Sequence, residues 1–236
     1  MPANLRQRLD QIRHVAVACT QQHHKDLIPL FRPHVPRGGT VIDVGAHAGQ
    51  FSKLFSHMVG PTGVVHAFEP STYTRSILEI ALRANGRRNV VVHAAGLSDE
   101  PATLTLHTPI KKSGVRGYGL ASMGGVGDQA TRGEVAETVK VLTLDLFATD
   151  LGLHVDFIKV DIEGWEGHFL RGAQRVLETD HPALYLEIDH RMMARAGDDA
   201  GQIFERLAGL GYLAQKDGAW SAVTSYDGPG NYLFVA

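Results

Sequence analysis

Seven residues, Asp43-Val44-Gly45-Ala46-His47-Ala48-Gly49, set an acid and two glycines where a β-branched run must turn into a helix. Gly45 permits a backbone bend that a side chain would obstruct, and Gly49 lets the following helix start close to a ligand. Three kinds of ligand compete for such a loop. A dinucleotide pyrophosphate is cradled by G-x-G-x-x-G, and His47 stands where a glycine is required. A phosphate-binding P-loop ends in Gly-Lys-Ser/Thr, whereas Gln50-Phe51 follow Gly49 here. S-adenosylmethionine carries no phosphate and needs no anion nest; it needs an acid at the strand end for its amino group, a part that suits Asp43. A tight turn without any ligand is the alternative for the loop taken alone.

Glu69 closes the next apolar run in Ala67-Phe68-Glu69-Pro70, about 20 residues further on, where a doubly wound fold puts the carboxylate that accepts from ribose hydroxyls. Its alternative is a helix-capping acid ahead of Pro70. After a third run come Ala94-Ala95-Gly96-Leu97-Ser98-Asp99, whose small residues leave room for an adenine ring, with Ser98 or a backbone amide to read its edge. A turn punctuated by Gly96 and Ser98 is the competing reading. The expected cofactor set is therefore Asp43, Gly45, His47, Gly49, Phe51, Glu69, Pro70, Ala95, Gly96, Ser98 and Asp161.

The reaction-side residues lie in Lys159-Val160-Asp161-Ile162-Glu163-Gly164-Trp165-Glu166 and in Glu187-Ile188-Asp189-His190. Lys159 sits inside an apolar run, so its charge must be paired or must act. A buried salt bridge to a neighbouring carboxylate is the first of those readings. Methyl transfer is an in-line displacement in which the protein chiefly aligns acceptor and methyl. An alcohol acceptor must also lose a proton to a base within hydrogen-bond reach. Lys159, Asp161, Glu163, Glu187 and His190 are the catalytic candidates, since crowded carboxylates raise one another's pKa towards useful values. Asp161, Glu187 and His190 are equally a candidate set for a divalent cation: oxygen ligands suit magnesium or calcium, and the histidine favours a transition metal. Metal-free and metal-assisted chemistry both stand at this point.

The elements that must position these residues alternate. Strands are expected at 40–44, 64–68, 89–93, 155–160 and 183–188, with helices over 49–58, 71–85, from beyond 160 through about 177, and over 200–210 between them. That rhythm implies βαβ units and a parallel sheet with right-handed crossovers. Residues 212–214 and 232–235 read as the last two strands. The rhythm breaks at 102–107 and 138–144, two period-two runs flanking a segment from Lys111 to Glu137 with seven glycines. They read as an inserted antiparallel hairpin, within an insertion of about 101–144, whose long loop serves as a lid or binding segment. The expected fold is a seven-stranded, mostly parallel Rossmann-like α/β sheet (37–236) with helices on both faces and an N-terminal helical cap (1–36).

Composition narrows the partners. A net charge of -2 gives no reason to expect nucleic acid or an anionic membrane. The single cysteine, Cys19, suits a reducing compartment, and no run approaches the roughly 18 apolar residues of a membrane span. A cytoplasmic protein acting on a small molecule is expected. The N-terminal helices and the hairpin offer surface for a homodimer.

Taken together, Val41 to Ser52 (VIDVGAHAGQFS), Ala67 to Pro70, Ala95 to Asp99 and the K-x-D-x-E-G-x-E run from Lys159 to Glu166 resemble the FkbM family of methyltransferases. The resemblance runs from about residue 38 to 190. It implies a class I, Rossmann-like O-methyltransferase that uses S-adenosylmethionine on hydroxyls of sugars, polyketides and other secondary metabolites. It further implies that Asp43, Gly45 and Gly49 belong to the cofactor loop, that Glu69 is the ribose acid, and that Lys159, Asp161, Glu163 and Glu166 lie closest to the chemistry. The family more often has asparagine where His47 stands. Residues 1–35 and 111–137 match no family motif and are expected to choose the acceptor. An NAD-type oxidoreductase and a non-catalytic Rossmann binding module are the rival readings; the missing glycine and an expected absence of a Tyr-x-x-x-Lys pair count against the first, and the Lys159-Asp161-Glu163 set against the second.

Overall fold

The computed structural model describes residues 3–111, 131–218 and 220–236. Helix α1 (Ala3–Thr20), a single 3₁₀ turn (Lys25–Leu27) and α2 (Ile28–Phe31) lead into β1 (Thr40–Val44). Then α3 (Gln50–Val59), β2 (Val64–Phe68), α4 (Thr72–Ala84) and β3 (Val90–His93) alternate. The short β4 (Gly96–Leu97), β5 (Ala102–Lys111), β6 (Thr131–Leu142) and α5 (Leu144–Leu151) interrupt that rhythm. It resumes through β7 (Phe157–Val160), α6 (Glu166–Arg171), α7 (Gln174–Thr179), β8 (Ala183–Ile188), α8 (His190–Arg195) and α9 (Ala200–Gly209). Strands β9 (Leu213–Lys216), β10 (Ser221–Val223) and β11 (Gly230–Val235) end the chain.

Among the described residues the main sheet has eight strands in the order β10-β9-β11-β8-β7-β1-β2-β3, one more than expected. The extra strand is β10, whose three residues pair with β9 and carry too little apolar pattern to announce themselves. Strands β8, β7, β1, β2 and β3 are mutually parallel, and β11, β9 and β10 run antiparallel at one edge. The chain winds outward in both directions from β1, so the sheet's switch point lies between β1 and its neighbours β2 and β7. Open α/β sheets hold their ligands at such a point, outside the carboxyl ends of the strands.

Neighbouring side chains of β1 enter opposite layers, as strand geometry requires. Val41 packs with Phe31, Phe55, Phe157 and Tyr185, while Ile42 and Val44 pack with Phe68, Leu144, Val160 and Leu186. Burying each such aliphatic side chain stabilises the fold by about 1.5–3 kcal/mol. A strand covered on both faces has no polar position to spare, which is why Asp43 and Lys159 stand out inside it.

The expected hairpin is present and longer than foreseen: β5 and β6 pair antiparallel from Ala102↔Val141 outward, and β6 also holds β4. Residues 131–137, expected as loop, belong to β6; residues 112–130 lie outside the described residues. The second strand of the hairpin stops at Leu142 rather than 144, because Thr143 caps α5 by accepting from the Leu146 amide at 3.2 Å. The helix expected through 177 is two helices broken at Gly172. A Cβ there would fall 1.9 Å from the Ser98 carbonyl oxygen, so the chain gives up helical continuity for contact with the β4 loop. No helix among the described residues is long and apolar enough to cross a membrane.

The N-terminal helix is tied down by a buried cation. Lys53 of α3 is only 2% exposed, and its ammonium donates to the carbonyls of Ala18 (2.5 Å) and Gln21 (2.9 Å) at the end of α1. Those carbonyls are among the ones a helix leaves unpaired at its C-terminus, where a cation also meets the negative end of the helix dipole.

A second buried polar pair bears on acid stability. His66 of β2 and His93 of β3 are hydrogen-bonded through Nδ1 and Nε2 at 3.0 Å, walled by Phe68 and Phe147. Burial, then the His93 ring, push His66 down from its ordinary value to about 4. The unfolded chain therefore takes up this proton first on acidification, so the pair's stabilisation is complete above about pH 6.5 and is lost as pH falls towards 4. The loss at that histidine approaches about 3 kcal/mol. Urea unfolding at pH 7.5 and 5.0 should show His66→Phe narrowing the wild-type gap between the two pH values; an unchanged gap would remove His66 from acid sensitivity.

Candidate functional site

The switch point opens into a cavity of about 320 Å³ whose walls come from the ends of β1, β2, β7 and β8. Gly45, His47, Phe51, Glu69, Pro70, Lys159, Asp161, Glu163 and Glu187 all line it, so nine expected site residues meet in one place. Three walls were not foreseen as such: His24 from the N-terminal segment, Thr74 from α4, and Leu106 from the inserted hairpin. Residue type alone carries no signal for these, since their placement depends on how the cap and hairpin fold back over the sheet.

The floor is organised by one lysine. Lys159 pairs with Asp43 across the β1–β7 ladder and is 2% exposed. Its ammonium donates to the carbonyls of Gly45 (2.8 Å) and Val44 (3.3 Å), and lies 3.5 Å from Asp43 Oδ1 and 3.6 Å from Asp161 Oδ2. It also sits 5.2 Å from the centre of the Phe51 ring. Burial pulls its pKa down, but Asp161 and Asp43 outweigh that and hold it above the ordinary lysine value. Lys159 is therefore a fixed cation that shapes the loop, and of the two readings of its charge the salt bridge is the one observed.

Asp43 is wholly buried beneath the loop. Its Oδ2 accepts from Ser52 at 2.6 Å, and it does not line the cavity, so it braces the loop rather than facing a ligand. Gly45 lies at φ +72°, and a Cβ on it would stand 1.9 Å from the Asp161 carbonyl oxygen. Glycine is thus required where the β1 and β7 loops touch. Glu69 is nearly buried and accepts from the backbone amides of His47 (2.8 Å) and Ser71 (2.9 Å) and from the Thr74 hydroxyl (2.9 Å). Burial still raises its pKa above the ordinary carboxylate value. Its three donors leave about one of four lone-pair positions without a partner, and the residue lines the cavity.

Across the cavity stand the carboxylates of Asp161, Glu163 and Glu187. Burial, the Asp161 charge and a hydrogen bond with Asp161 raise Glu187 to about 7. Glu163 is raised to about 8 by burial, then by Asp161 and Glu187. Glu166 is 1% exposed and turns back to accept from the amides of Ile162 (3.2 Å) and Gly164 (3.3 Å), and burial raises it to about 7. It caps its own loop. Trp165 secures the same loop from outside, donating from Nε1 to the Ser98 hydroxyl at 3.0 Å and stacking on His168 at 3.9 Å. Three of the five non-glycine residues with positive φ among those described, His24, His47 and Glu163, line this cavity. Such conformations cluster where a site is held in a set shape.

Some expected residues fall elsewhere. Ala95, Gly96 and Ser98 do not line the cavity: Ala95 is in the core, Gly96 pairs with β6, and the Ser98 hydroxyl is taken by Trp165 and Asp99. His190 is likewise outside it. It opens α8, where its ring meets the Tyr226 hydroxyl at 2.8 Å. The metal trio Asp161, Glu187 and His190 is thereby broken, and among the described residues no group of three or more His, Cys, Asp or Glu is arranged to hold a metal ion.

The profile of the FkbM methyltransferase domain matches residues 43–214. Among solved structures, a methyltransferase FkbM from Methylobacillus flagellatus superimposes with TM-score 0.54 at 15% identity, over 97% of this chain and 59% of that one. This chain thus spans less than two thirds of that relative's length. A proposed rRNA-methylase from Clostridium thermocellum (TM-score 0.53, 10% identity, 91% and 95% covered) and a proposed O-methyltransferase from Klebsiella pneumoniae (0.51, 12%, 99% and 89%) share the fold. No curated protein sequence matches this chain.

Removing the Lys159 ammonium leaves Asp43 buried without its counter-charge. Lys159→Met is expected to destabilise the protein by roughly 3–5 kcal/mol, the usual result of breaking a buried pair from one side. Urea unfolding checks this; a loss below about 1 kcal/mol would show that the pair behaves as a solvated one.

Proposed function

The chain belongs to the FkbM family of methyltransferases, and on that premise we propose that it transfers a methyl group from S-adenosylmethionine to a hydroxyl of a small molecule such as a sugar, polyketide or other secondary metabolite. The observation that carries this reading is the meeting, in one cavity, of the loop braced by Lys159, Glu69 with one acceptor position open, and the neighbouring carboxylates of Asp161 and Glu187. The residues present suit the cofactor: Glu69 keeps an acceptor site for a ribose hydroxyl, and Gly45 brings backbone to the cavity without a side chain, while Gly49 does not line it. When bound, S-adenosylmethionine supplies an electrophilic methyl group on a sulfonium.

The chain's own part is then orientation and proton removal. Glu187 stands beside Asp161 in the cavity wall, and burial with the Asp161 charge raises it to about 7, so it becomes a basic site near that pH. In that state Glu187 takes the acceptor's hydroxyl proton as the oxygen attacks. Lys159, already engaged by Asp43 and the loop carbonyls, keeps Asp161 in place and moves no proton. Leu106 frames the side left for the acceptor, so the hairpin is where acceptor choice resides. Contrary to expectation, one Tyr-x-x-x-Lys spacing is present, Tyr212 to Lys216. Tyr212 is buried and Lys216 pairs with Asp227 at 2.7 Å, and neither residue lines the cavity.

S-adenosylhomocysteine is expected to raise the melting temperature and NAD to leave it unchanged, as ligand linkage requires. Stabilisation by NAD alone would overturn the assignment. Methyl transfer should rise through an apparent pKa near 7, the value to which Glu187 is raised. Glu187→Gln should abolish that inflection and slow turnover by about 10²–10⁴-fold. A variant retaining both rate and inflection would place the base elsewhere.

A further inference from the structure

The segment before β1 is fastened to the cofactor loop at several points. Gln22 Nε2 donates to the Gln50 carbonyl at 2.9 Å, and the His23 amide donates to Gln50 Oε1 at 3.2 Å. Lys53 holds the end of α1. His24 follows at φ 62°, a left-handed conformation that few residues other than glycine or asparagine adopt, and its ring stacks on Phe51 at 4.4 Å and 12°. This fastening carries the imidazole into the cavity wall. Residue 24 lies outside the stretch that matches the family profile, residues 43–214.

A zwitterionic ligand meets an asymmetric cavity. Asp161, Glu163 and Glu187 crowd the β7–β8 side, and Glu69 stands at the end of β2. The one lysine in the wall is engaged by two backbone carbonyls and two carboxylates. An α-carboxylate in this space needs neutral or cationic donors away from those acids. His24 and Gln50 lie together on the α3 side; among the described residues no hydrogen bond engages the His24 ring or Gln50 Nε2, while an imidazole keeps at least one N–H in any charge state.

We propose that His24, seconded by Gln50, binds the carboxylate of the amino-acid moiety of S-adenosylmethionine, so that the N-terminal segment completes the cofactor site. This rests on the cofactor reading given above. It couples docking of the cap to cofactor occupancy, because the segment that places His24 is the one held by Gln50 and Lys53.

Isothermal titration with S-adenosylhomocysteine and with its decarboxylated analogue separates the possibilities. Wild-type protein that binds neither compound would fail the cofactor reading itself. Given binding, His24→Ala should weaken S-adenosylhomocysteine about tenfold, in line with loss of one hydrogen bond to a charged group, and leave the decarboxylated analogue within about twofold. His24→Phe, which keeps a ring to stack on Phe51, should show the same selective loss, and His24→Gln, which keeps a donor, should recover most of the affinity. Equal weakening of both compounds, or of neither, in the Ala and Phe variants would overturn the proposal.

Discussion

The ammonium of Lys159 is the constraint on which the rest of the site depends. A cation in the second-to-last position of a strand covered on both faces costs several kcal/mol unless it is answered in full. The answer is assembled from three directions: Asp43 from the same ladder, Asp161 two residues further along β7, and the carbonyls of Val44 and Gly45 from the turn after β1. Because the lysine must be satisfied, the turn is pulled down onto β7, and because it is pulled down, residue 45 can carry no Cβ. The loop's shape and its glycine are consequences of one buried charge.

The same charge sets the electrostatics of the opposite wall. Lys159 holds Asp161 at 3.6 Å, and burial together with the Asp161 carboxylate disfavours ionisation of Glu187 and Glu163. Three acids in one wall are thereby separated into one paired with the lysine and two that are raised to about 7 and about 8. Neighbours, and no change of residue type, set that separation. Glu166, tied to its own loop amides, keeps the wall in register, and Trp165 and His168 lock the loop against the β4 turn.

Most of the framework was legible in the sequence, and the reasons are particular. The strands β1, β2 and β7 are largely β-branched or aromatic runs and β8 a leucine-rich one, all bounded by Gly, Pro or acids, and their carboxyl ends carry residues that line the cavity. Lys159 was visible as an anomaly because a charge in such a run must be answered. What escaped was of three kinds. Strand β10 and the first half of β6 owe their place to pairing partners, not to any pattern of their own. Ser98 and His190 look available in one dimension but are claimed in three by Trp165 and Tyr226. Asp43 reads as a ligand acid at a strand end, and only the position of Lys159 and Ser52 reveals it as a brace.

Cavity residues from outside the parallel sheet follow a different logic. The strand ends can supply acids, a lysine and backbone, and here they supply an excess of carboxylates. Donors for an anionic group, and apolar surface for an acceptor, have to come from elements that fold over the open end: the segment at His24 and the hairpin at Leu106. The segment at His24 precedes the stretch that matches the family profile, residues 43–214, whereas the hairpin lies within it. Neither element supplies a counter-charge to Lys159, so the sheet's arrangement of charge is complete without them.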